Sequence, residues 1–167
     1  MNKTLPIGLH PGIQASEYHA MPHVSNSMLS SLHKSPAHCW AMHLDPHRPR
    51  IQSTPAMRAG TLLHSLALEP ESMASRYAVA PAGLDGRTKE GRAWNEANAA
   101  REIIKPTEME TAEAQRDALL ADPTIARLLT GPSESSAFWI DAKTGLPCRA
   151  RPDKLHFTGH KRVIVLD

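Results

Sequence analysis

The chain has 167 residues, 41% hydrophobic but only 4% aromatic, enough for one domain of ordinary size with a core built mostly from Leu, Ala, Met, Val and Ile. Its 19 basic and 17 acidic residues leave a formal charge of +2, which excludes a strongly polybasic or polyacidic protein and leaves any nucleic-acid contact to a local patch. Two distant cysteines, Cys39 and Cys148, exclude a secreted disulfide framework and a self-sufficient four-cysteine metal site; with no apolar run of membrane-spanning length and no signal-peptide core, a cytoplasmic protein without membrane contact is expected.

Residues 1–24 hold Pro6, Pro11, Gly12 and Pro22 without sustained periodicity and read as an extended N-terminal arm, leaving 25–167 as the domain. Ser25-Asn26-Ser27 offers N-caps to a helix carrying Met28, Leu29 and Leu32, and Ser35-Pro36 starts another that runs to about Leu44. Residues 45–55 form a proline-containing loop. Thr54-Pro55 then opens a helix from Ala56 to Leu68, apolar nearly all round and so expected to be buried. A loop over 78–90 and a polar helix over 88–102 follow. The next helix runs from Thr107 to Leu120 with capping-box spacing between Thr107 and Glu110, and a short one leads from Asp122-Pro123 to Leu129.

From there the pattern changes to strands: Ser136–Ile140, Leu146–Leu155 and Arg162–Leu166, with a turn at 141–145. Helices followed by a small antiparallel sheet indicate an α/β domain that is α+β by chain order.

Two carboxylates stand out in the sheet region. Asp153 follows Pro152 in the second predicted strand, and Asp167 closes the run Val163-Ile164-Val165-Leu166. If those strands pair, the acids can converge and hold a hard divalent cation through oxygen; a strand end exposing its Asp to water fits the same residues. His64 lies within the apolar helix, with Gly60 one turn earlier on its face to permit close backbone approach. It reads either as a minority metal ligand beside carboxylates or as a satisfied core histidine.

Other signals are weaker. Arg149 and Arg151 share a strand face by alternation and, with Lys154, offer phosphate contacts; ordinary solvated charge is the alternative. Glu134, just before the first predicted strand, offers outer support to a metal site or is a plain surface acid. His38, Cys39, His43 and His47 lack the paired spacing of a zinc site.

Taken together, the stretches Glu17-Tyr18-His19, Ser25–Leu29, Ser35–His38, Gly60–Glu71, Glu134–Trp139, Gly145–Lys154 and Val163–Asp167 resemble the exodeoxyribonuclease VIII (RecE-type) nuclease domain, in the RecB-like branch of the PD-(D/E)XK superfamily. The resemblance implies a PD-(D/E)XK fold and a site in which His64, Asp153 and Asp167 are catalytic and bind Mg²⁺ or Mn²⁺. It further implies 5′ to 3′ digestion of linear double-stranded DNA ends in phage or prophage recombination, with a single-strand annealing protein and a homo-oligomer as partners. The family's lysine, two residues beyond Asp167, is not among the 167 residues, so the chain is expected to be truncated at that motif and inactive as it stands. The alternative is a non-catalytic DNA- or partner-binding module of phage origin.

Overall fold

The computed structural model describes residues 7–48, 52–159 and 162–166. In chain order the elements are β1 (Gly8–His10), α1 (Ala15–Ala20), α2 (Asn26–Lys34) and α3 (Pro36–Cys39), which runs on into a π-helical turn, Trp40–Leu44. Next come α4 (Pro55–Leu68), a 3₁₀ turn at Pro70–Ser72, α5 (Met73–Arg76), β2 (Tyr77–Val79), α6 (Lys89–Ala97), β3 (Glu102–Ile104), α7 (Pro106–Leu120) and α8 (Pro123–Leu128). The last elements are β4 (Ser136–Ile140), β5 (Pro147–Ala150), β6 (Lys154–Phe157) and β7 (Val163–Leu166). Two compact units emerge: one from the described parts of 1–52 and 130–167, the other from 53–129.

The first unit carries an antiparallel sheet with β4 at its centre, between β1 and β5. Alternation along β4 decides its faces. Phe138 is 3% exposed and packs with Tyr18, Met21 and Ile13, while its neighbour Trp139 is 41% exposed. The segment read from sequence as an extended arm thus contributes a strand, a helix and two core residues; their shortness, at three and six residues, left no periodicity to detect. Helices α2 and α3 start as expected, with Ser25 Oγ accepting from the Met28 N–H at 3.4 Å and Ser35 Oγ from the His38 N–H at 3.0 Å.

His23 is buried against this core, its ring 5.0 Å from that of Phe138, and its Nδ1 has no hydrogen-bond partner among the described residues. Burial, and after it the Arg149 charge, lowers its pKa from the ordinary 6.5. The unfolded chain therefore takes up this proton first as pH falls. The neutral imidazole's contribution is complete above about pH 6.5 and is lost as pH drops through that value toward the lower native pKa. Urea unfolding at pH 7.5 and pH 5.5 is expected to show this loss, and His23→Gln is expected to reduce it.

The second unit is built on α4 and α7. Thr54 caps α4, its Oγ1 accepting from the Met57 N–H at 3.2 Å, and Pro55 opens the first turn. Only Leu62, Ser65 and Leu66 of α4 are buried. The expectation of a helix buried all round is therefore corrected: one stripe faces a core of Tyr77, Ile104 and Ala112, and Met57 is 51% exposed. Ser65 Oγ lies 3.2 Å from Tyr77 Oη, which satisfies two polar groups inside that core. The expected loop at 78–90 and polar helix at 88–102 hide a parallel pair, β2 with β3, which shortens the helix at its end to Ala97. Helix α7 begins at Pro106, so Thr107 is not its cap. The Glu108 carboxylate accepts from the Lys105 N–H at 2.9 Å, half of a capping box, since Lys offers no acceptor for the other half.

Candidate metal centre

The second predicted strand, 146–155, breaks in two. Residues 147–150 pair with β4, whereas Lys154–Phe157 join β7 in a separate two-stranded sheet, with Lys154 opposite Leu166. Pro152 explains the break: it has no N–H for a ladder and restricts the residue before it. The resulting corner carries Asp153 out of both ladders.

Residues 131–135 line this corner. The Leu155 N–H donates to the Pro132 carbonyl at 3.1 Å, and the Glu134 N–H donates to the Asp153 carbonyl at 3.2 Å. Gly131 has φ +116, and a Cβ there would stand 2.4 Å from the Leu155 carbonyl oxygen, so only glycine fits the approach. Glu134 has φ +50, the one positive value at a non-glycine residue among the described residues. That conformation costs ~1 kcal/mol for an L side chain.

These constraints bring two acids together. A carboxylate oxygen of Glu134 and one of Asp153 lie within 4.8 Å of each other, and both residues are half-buried. A cavity of about 630 Å³ opens beside them, lined also by Tyr18, His19, Arg149 and Arg151. Arg151 Nε donates to Glu134 Oε2 at 2.5 Å, and its Nη1 donates to the Ile13 carbonyl at 3.0 Å. Both arginines stand over the Tyr18 ring, the Arg149 carbon at 4.7 Å and the Arg151 carbon at 5.6 Å from its centroid, so the shared face read from alternation is present.

The three basic residues read as DNA contacts are all engaged inside the unit. Arg149 is 7% exposed and donates through Nη1 to the carbonyls of Tyr18 and, at 2.8 Å, Met21. Desolvation lowers its pKa, with Tyr18 opposing the shift. Lys154 is also 7% exposed, its Nζ donating to Ser133 Oγ at 2.6 Å. Arg149 and Lys154 present little surface to an outside phosphate.

Asp167, like Lys161, lies outside the described residues. His64 is on α4 in the second unit and half-buried. Gly60 is exposed, and a Cβ there would meet nothing within 4 Å among the described residues, so the close backbone approach expected of it is not seen. Among the histidines weighed for zinc, His43 Nε2 lies 2.9 Å from Ser31 Oγ, and the Cys39 thiol points to the Met28 carbonyl at 3.6 Å.

His19 carries no signal by residue type beyond its membership of the Glu17-Tyr18-His19 stretch. Its pKa is lowered by burial first, then by the charges of Arg149, Arg151 and Arg48, with Glu134 opposing, which leaves a neutral imidazole at the cavity at neutral pH.

Helices combined with small antiparallel sheets around a carboxylate corner define an α+β fold of the nuclease type, the PD-(D/E)XK superfamily. Residues 25–165 match the PDDEXK-like domain of unknown function DUF3799, and the chain belongs to that family. No curated protein matches the chain. No helix among the described residues is long and apolar enough to cross a membrane.

Proposed function

We propose that this chain is a metal-dependent DNA nuclease domain of the RecE type. In this reading it digests linear double-stranded DNA from 5′ ends in the cytoplasm, and the 3′ single strands it leaves feed an annealing protein in phage or prophage recombination. The observation that carries the reading is the Glu134–Asp153 carboxylate pair at a proline corner of a PDDEXK-like chain. Two oxygens on one Mg²⁺ stand about 3 to 4 Å apart for bonds of 2.0–2.1 Å, and rotation about the Glu134 side chain spans the difference from the observed approach. An all-oxygen pair suits Mg²⁺ or Mn²⁺ over softer metals. By the resemblance, His64 and Asp167 complete the ligand set with Asp153.

A divalent ion held there supplies charge relief on a phosphate and an acidified water. The chain's own groups do the rest. The corner fixes Asp153 through backbone hydrogen bonds, and Tyr18 and the two arginines form one wall of the cavity. The neutral His19 presents a hydrogen-bond and proton acceptor to it.

The test uses two polypeptides. Residues 1–167 are expected to bind Mn²⁺ in isothermal titration calorimetry but to leave DNA uncut, because the lysine that the superfamily pattern places after Asp167 is not among them. A longer polypeptide supplying Asp-x-Lys is expected to shorten end-labelled linear duplex with Mg²⁺, to spare covalently closed circles, and to stop with EDTA. Robust digestion by residues 1–167 would refute the role given to the lysine. Absence of metal-dependent cleavage by the longer polypeptide would refute the nuclease reading.

A further inference from the structure

We infer that Arg151 is a built-in competitor for the metal: its guanidinium holds the Glu134 carboxylate, so that a divalent cation binds only by drawing Glu134 away from it. The inference rests on the metal reading of the Glu134–Asp153 pair and goes beyond it by assigning a residue that sets how much metal the site needs.

Three observations carry it. The Arg151 Nε to Glu134 Oε2 contact is 2.5 Å, a charge-assisted hydrogen bond between side chains only 14% and 23% exposed, where solvent screens weakly. The guanidinium is pinned from two other sides, by the Ile13 carbonyl at 3.0 Å and by the Tyr18 ring. It therefore does not follow the carboxylate when the carboxylate moves. Glu134 is pinned at its backbone instead, by φ +50 and by its N–H on the Asp153 carbonyl, which leaves its side-chain torsions as the available motion. Two cations cannot share one carboxylate at close range without mutual repulsion. Arg151 therefore relieves the repulsion between Glu134 and Asp153 in the metal-free site and weakens metal binding by the same contact.

A merely structural arginine would weaken metal binding when replaced; a competitor strengthens it. Mn²⁺ titration calorimetry on residues 1–167 is expected to give Arg151→Gln a dissociation constant about tenfold lower than wild type, the equivalent of ~1.4 kcal/mol. In a Glu134→Gln background the same replacement is expected to bring no gain, because the effect acts through that carboxylate. Arg151→Lys keeps the charge but loses the Nε donor, and is expected to give a smaller gain. It carries the test if circular dichroism shows Arg151→Gln unfolded. If wild type binds no Mn²⁺, the metal reading fails and this inference with it. If wild type binds and the Arg151 variants bind equally or more weakly, or if the gain persists without the Glu134 carboxylate, this inference alone is overturned.

Discussion

Asp153→Asn is expected to raise the Mn²⁺ dissociation constant of residues 1–167 by on the order of 100-fold or more, and to abolish cleavage in any longer active polypeptide. Loss of a supporting group around a metal typically costs 10- to 100-fold, and loss of a charged ligand exceeds that. Asparagine keeps the shape of the side chain and removes only the charge and one acceptor. One contact that Asp153 gives the fold, the Glu134 N–H on its carbonyl at 3.2 Å, is made by backbone and survives the change. The melting temperature is therefore expected to stay within a few degrees of wild type, which separates a lost ligand from a lost fold. Wild-type Mn²⁺ affinity in the variant would remove Asp153 from the site.

Arg149→Met is expected to produce the opposite profile, a large loss of stability of about 2–4 kcal/mol in urea unfolding. Methionine replaces much of the packing of the arginine stem but takes the guanidinium donor from the Tyr18 and Met21 carbonyls at the end of α1, the Tyr18 carbonyl keeping the Met21 N–H at 3.3 Å. A hydrogen bond to a charged group is worth roughly 1.5–3 kcal/mol, and the guanidinium over Tyr18 adds to it. Relief of the desolvation that lowers the Arg149 pKa offsets part of the loss. Arg149→Lys is expected to recover little, since an ammonium lacks the planar fork that reaches two carbonyls. A change below about 0.5 kcal/mol, the size of an ordinary surface substitution, would show that α1 is held by other contacts.

Local chemistry made much of the fold legible. Ser25, Ser35, Thr54 and Asp122 each cap the helix that the sequence assigns to them, because a cap is a contact within four residues. The strand at 136–140 and the hairpin of β6 and β7 follow from alternation and from β-branched runs. What stayed hidden depends on distant partners. The three-residue strands β2 and β3 form only because each finds the other across 22 intervening residues, between Val79 and Glu102. The sequence reads 146–155 as one strand, although Pro152, which divides it, stands within that stretch. The site shows the same limit. Asp153 is conspicuous beside its proline, whereas the burial of Arg149 and Lys154 contradicts the general preference of charged groups for water and is set by carbonyls and a hydroxyl that only the folded chain supplies.

Glu134 illustrates how a protein reveals its purpose by where it tolerates discomfort. A residue with φ +50 is a place where glycine or asparagine would relax the backbone. On the metal reading the acid stands there for its carboxylate, and Glu134→Gly is expected to relax the backbone while losing the Arg151 partner and weakening Mn²⁺ binding.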